Sequence, residues 1–99
     1  MSTRQLYVIH ALDGADGHEK RVDLYDAHRA YVSRHGQDVD VRMSGPLLDA
    51  DDPEGKPIGS LFVLEAGSLD DARTFNARDP FAQGGVWETV RIHPFIRRR

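Results

Sequence analysis

Apolar and polar residues change period several times along the chain, and each change marks an element. From Gln5 to Leu12, Leu6, Val8 and His10 alternate with Tyr7, Ile9 and Ala11, which predicts a strand that is largely apolar on both faces. Asp13-Gly14-Ala15-Asp16-Gly17 is turn chemistry and ends it. From about His18 to His35 the period becomes helical, with Gly36 placed as the residue just beyond the helix. At 100° per residue, Arg21, Tyr25, His28 and Val32 share one narrow stripe, with Leu24 and His35 at its edge. That stripe faces whatever lies beneath the helix, and it is unusually polar.

A second strand spans Val39 to Leu48, with Val39, Val41 and Met43 on one face and Asp40 and Arg42 on the other. Gly45-Pro46 interrupts the alternation and predicts a bulge or kink near Ser44–Pro46, because proline cannot donate to a ladder. An acidic loop rich in proline follows, then a third strand from Gly59 to Ala66. Ser68 reads as the N-cap of a second helix with acids in its first turn and Leu69, Ala72, Phe75 and Asn76 inward. This helix must stop before Pro80, which places Asp79 at its exit. The last strand runs from Val86 to about Ile96, with Val86, Glu88, Val90 and Ile92 opposite Trp87, Thr89 and Arg91 in parity.

The order is β-α-β-β-α-β, the ferredoxin-like α+β plan: a four-stranded antiparallel sheet with two helices on one face. The other face is left open. Because the strands carry apolar residues at both parities, that face would be sticky in a monomer, and packing two such sheets together gives a homodimer.

Length sharpens this expectation. The 99 residues suffice for one domain, and a chain this size buries roughly 60–70% of its unfolded surface, leaving little for an enclosed substrate cavity. Cysteine is absent, so thiolate nucleophiles, disulfides and cysteine-ligated zinc are excluded. The start has no apolar signal-like segment and no run approaches a membrane span, so a cytoplasmic protein is expected. A formal charge of −3 argues against nucleic-acid binding as the main role. Arg97-Arg98-Arg99 reads either as a solvated end or as an anion contact.

Among residues that can carry chemistry, His28 stands first, since histidine is suited to both accept and release a proton. A single histidine on an inner helix face is also commonly just a hydrogen-bonded core residue. Its company argues for more: Arg21 lies about two turns earlier on the same stripe, and a buried cation there needs a carboxylate or a bound anion. Asp79 is the candidate carboxylate, because the two helices run side by side and an Asp–His pair orients the imidazole. Its competing role is to cap a turn ahead of Pro80. His10, His18, His35 and His93 do not make a metal-ligand spacing, and no metal is expected.

Taken together, Arg21-x6-His28-x2-Tyr31-Val32, Gly36, Ser44-Gly45-Pro46-Leu47, Gly59-Ser60-Leu61, Glu65-Ala66-x-Ser68-Leu69-x-x-Ala72, Asp79-Pro80-Phe81 and Ile92-x-Pro94-Phe95 resemble the YciI-like (YCII-related) family. The resemblance covers nearly the whole chain. It implies a dimeric α+β barrel in which His28 and Asp79 form an active site within a cleft. It further implies that Gly45 and Pro46 shape the cleft wall, with Arg21 and Ser60 as polar positions near it. One similar protein removes chloride from a chlorinated hydroxyquinol, and related barrels include muconolactone isomerases and small monooxygenases. The acidic loop at Asp49–Glu54 and the arginine tail depart from the family pattern without touching the matched positions.

Two functions remain open on this reading. One is a cofactor-independent enzyme of lyase or isomerase type, dehydrochlorinase-like, acting on a small cyclic or aromatic anion. There His28 would move a proton, Asp79 would orient it, and Arg21 would offset substrate charge. The other is a non-catalytic module that binds a small molecule or a protein in the same cleft, and beside both stands a purely structural role for His28 and Asp79 as an internal hydrogen-bonded pair.

Overall fold

The computed structural model describes residues 4–34 and 38–99. In chain order they form β1 (Gln5–Asp13), α1 (Gly17–Val32), β2 (Val39–Leu48), β3 (Pro57–Ala66), α2 (Leu69–Arg78), α3 (Pro80–Gln83) and β4 (Trp87–Phe95). His35 and Gly36, expected at the end of the first helix, lie outside the described residues. Ser33 is the C-cap of α1, its amide donating to the carbonyl oxygen of Arg29 at 3.0 Å.

The strands form one antiparallel sheet in the order β2-β3-β1-β4, so the fold is ferredoxin-like α+β. Both central strands, β1 and β3, are apolar on both faces. Tyr7, Ile9 and Ala11 of β1 and Phe62, Leu64 and Ala66 of β3 are buried, together with Ala72 and Phe75 of α2. Full burial of a side chain such as Phe62 or Ile9 contributes roughly 1.5–3 kcal/mol. The opposite parity, Leu6, Val8, Leu61 and Val63, is only partly buried, and Met43 and Phe95 beside it are exposed. This is the open face.

Helix α1 has few inward apolar residues of its own, and among its described residues only Gly17 and Arg21 are buried. Part of its anchorage is a neighbouring helix. Tyr31 stacks on Phe75 at 5.2 Å and donates its hydroxyl to the Phe75 carbonyl oxygen at 2.7 Å. The acidic loop closes on itself, with the amide of Lys56 donating to Asp49 Oδ1 and the amide of Glu54 to Asp52 Oδ1, both at 2.9 Å.

The ladder departs from the expected register at three points. Val41 pairs with Leu64 and Met43 with Val63, so Arg42 is an extra residue and Met43 moves to the open face. The irregularity expected at Ser44–Pro46 is therefore placed earlier. Ser44 to Leu47 pair regularly with Phe62 to Gly59, and Pro46 is accommodated because β2 is an edge strand. Leu47 pairs with Gly59 and Leu48 with Pro57, so Ile58 is a second extra residue. On β4, Asp13 faces Trp87 while Leu12 faces Thr89; Glu88 is the third, and it puts Trp87 on the opposite face from Thr89 and Arg91.

No helix among the described residues is long and apolar enough to cross a membrane.

Candidate active site

The site grows out of the junction between α2 and α3. Ser68 opens α2 by accepting the Asp71 amide on its hydroxyl at 3.1 Å, and the helix ends at Arg78. Asp79 must be extended because Pro80 follows, and it is, at φ −62° and ψ 133°. The same residue then caps the next helix. Its Oδ1 accepts the Phe81 amide at 2.9 Å, with Pro80 in the first turn where no amide hydrogen is needed. Asp79 therefore caps a turn, as one reading of the sequence has it, and it also meets His28.

His28 Nδ1 stands 2.7 Å from Asp79 Oδ1. The Asp79 side chain is completely buried and that of His28 is 14% exposed. Since Oδ1 is already an acceptor towards the Phe81 amide, it accepts from Nδ1 as well. With Oδ1 as acceptor, the hydrogen on that side of the ring is on Nδ1, and Nε2 is the ring nitrogen that Asp79 does not engage. Asp79 Oδ2 has no hydrogen-bond partner among the described residues, nor has the buried Nε1 of Trp87.

Aromatic rings fix the imidazole from several sides. Phe81 lies parallel to it, with ring centroids 3.8 Å apart and an interplanar angle of 1°. Phe62 and Trp87 meet it edge-on at 6.1 and 6.3 Å. The ring is held in one plane by packing and in one orientation by Asp79.

Arg21 is buried, but its carboxylate is not Asp79. It is Asp13, at the end of β1: Arg21 Nε donates to Oδ2 at 3.0 Å and Nη2 to Oδ1 at 2.7 Å. Nη2 also donates to Ser60 Oγ at 3.2 Å, and the guanidinium lies 4.8 Å from the Phe81 ring centre. The carboxylate that neutralises the buried arginine is therefore Asp13, in place of the expected Asp79. Sequence reasoning took Asp13 as a turn residue. The signal was available in parity, since Asp13 continues the inward series Tyr7, Ile9, Ala11.

Beside the imidazole lies a cleft of about 640 Å³ between α1 and the β2–β3 edge of the sheet, large enough for a small ring compound. Arg21, His28, Gly45, Pro46, Ser60 and Phe62 all line it, joined by Tyr25, Arg29 and Ser44. Asp79 stands behind His28 and is not part of the lining. At Gly45 nothing lies within 4 Å of where a Cβ would be, so no close backbone approach requires glycine there. Tyr31 offers no base: burial, and then the charge of Asp79, raise its hydroxyl above the usual tyrosine value. Among the described residues no three His, Asp or Glu side chains converge as metal ligands.

Comparison with known proteins places the chain among relatives. The YCII-related domain matches residues 5–96. Protein YciI of Escherichia coli O6:H1 is 36% identical over 93 residues, covering 91% of this chain and 95% of that one. Among solved structures, the 5-chloro-2-hydroxyhydroquinone dehydrochlorinase TftG from Burkholderia phenoliruptrix AC1100, in complex with 2,5-dihydroxybenzoquinone, is 26% identical. It superposes with a TM-score of 0.80 over 92% of this chain and 93% of that one. SnoaB, a cofactor-independent oxygenase from Streptomyces nogalater, shares the fold at a TM-score of 0.51 and 13% identity, over 97% of this chain and 94% of that one.

Proposed function

The chain belongs to the YCII-related family, and from that premise we propose that it is a small cofactor-independent enzyme of lyase or isomerase type, moving protons on a cyclic or aromatic anion held in the cleft. The observation that carries the proposal is the 2.7 Å contact between His28 Nδ1 and Asp79 Oδ1, on an imidazole that lines the cleft. His28 exchanges the proton through Nε2. Asp79 fixes the tautomer and offsets the charge that forms on the ring. Arg21 contributes by fixing the Ser60 hydroxyl at the cleft wall, where Ser60 contacts the substrate and Gly45 and Pro46 bound its ring.

The similarity to TftG supports small oxygenated rings as the substrate class, and dehydrochlorination as a reaction such a site can perform. Loss of HCl from a chlorinated hydroquinol requires only proton transfers. Two hydroxyl protons leave, one proton is delivered to the chlorine-bearing carbon, and chloride departs with the carbon–chlorine electron pair, leaving a quinone. No external oxidant enters the balance.

The test is to incubate the protein with 5-chloro-2-hydroxyhydroquinone and a panel of hydroxylated, halogenated rings, following chloride release and products by mass spectrometry. Turnover of at least one is expected. A panel that raises the melting temperature by mass action yet returns intact would instead assign the cleft to a binding module.

The open sheet face receives a second copy of the chain in the same proposal. Leu6, Val8, Leu61 and Val63 are too apolar to remain in water as one patch. Val63→Arg is expected to convert a dimer into a monomer in sedimentation equilibrium; a variant that sediments like the parent would remove this face from the interface.

A further inference from the structure

Which residue recognises the ligand's charge follows from pairing each charged side chain around the cleft with its counter-charge. Arg21 is matched by Asp13 in a two-point ion pair, and His28 is hydrogen-bonded to Asp79. Arg29 also lines the cleft, one residue beyond His28, and no carboxylate among the described residues pairs with it. Its guanidinium carbon sits 5.8 Å from the centre of the Tyr25 ring, one helical turn earlier, within cation–π range. The guanidinium is thus supported by an aromatic face and donates to no other described residue. The apolar parts of the cleft lining, Val32, Pro46 and Phe62, suit the faces and edge of a planar ring.

We propose that Arg29, carried on Tyr25 at the cleft, is the residue that selects an anionic oxygen of a planar ring acid and points the ring towards His28. The selection is electrostatic. Arg29 supplies the unmatched positive charge among the described lining residues, so a negatively charged ring gains there what a neutral ring of the same shape does not. The assignment rests on the cleft being the ligand site, as proposed above, and it moves charge recognition from Arg21 to Arg29. Arg29 also lies in the last turn of α1, where a cation complements the helix dipole. A residue present for that reason alone would affect folding and not ligand choice.

The experiment uses benzoate as the anionic probe and benzamide as its neutral counterpart, with binding followed by NMR shifts of the His28 ring in the full chain. Arg29→Gln is expected to weaken benzoate about tenfold and leave benzamide within twofold, while Arg29→Lys retains part of the preference. Benzoate that shifts His28 with equal affinity in Arg29→Gln overturns the proposal while leaving the acid–base reading intact. Benzoate that leaves the His28 ring unmoved up to its solubility limit overturns it as well. A lower melting temperature in Arg29→Gln with unchanged benzoate affinity would assign the residue to the helix end alone.

Discussion

His28→Asn is expected to lower kcat by about 10²–10⁴-fold on any substrate the protein turns over, with little loss of stability. Asparagine can still donate to Asp79 Oδ1, so the buried carboxylate keeps a partner, but the basic ring nitrogen that His28 brings to the cleft lining is gone. Asp79→Asn tests the other half of the pair. Its amide oxygen can accept both the Phe81 amide and Nδ1, as Oδ1 does now, while its NH₂ takes the position of Oδ2, which has no hydrogen-bond partner among the described residues. The variant thus removes the negative charge behind the imidazole and leaves its geometry nearly unchanged. Because the two residues act as a unit, the double variant is expected to lose little more than His28→Asn alone. Steady-state kinetics on the three variants, each checked for folding by near-UV circular dichroism, decides the matter. Full turnover by folded His28→Asn would end the acid–base assignment.

The parts of this site that were legible in sequence share a local cause. Asp79 is announced by Pro80, which forbids helical backbone before it, and Ser68 by the acids that follow it in the first turn. The succession of strands and the two longer helices along the chain follows from changes of period. What was not legible depends on pairing between distant segments. The extra residues Arg42 and Glu88 reverse parity within a strand, but apolar residues occur on both faces here, so Val39, Val41 and Met43 look like one series when they are two. The short helix α3 was hidden because Asp79-Pro80 marks the end of one helix and the start of another with the same two residues. Its consequence is Phe81, which lies flat on the imidazole. Arg29 falls beside the narrow stripe of α1 that drew attention to Arg21 and His28, and its place in the cleft needs the β2–β3 edge to be known.

Removal of the Asp13 carboxylate is expected to have the largest effect on stability. Asp13→Ala leaves Arg21, whose side chain is 9% exposed, as a buried cation without its counter-charge. Breaking such a pair from one side costs about 3–5 kcal/mol, equivalent to a fall in melting temperature on the order of 15 °C or more for a chain this long. The pair itself need not be worth that much. Taking both charges out of water is expensive, and replacing both by apolar groups is often close to neutral, so Asp13→Ala combined with Arg21→Met should recover much of the loss. Denaturant melts of the two single variants and the double one measure the coupling directly. A recovered double variant would then isolate a second contribution of the pair, because Arg21 Nη2 also holds the Ser60 hydroxyl at the cleft wall. Stability would return while Ser60 stayed free to rotate. A chain that melts near the parent's temperature but binds ligand or turns over less well would place the role of Arg21 in orienting Ser60, with Asp13 present to make a buried arginine tolerable.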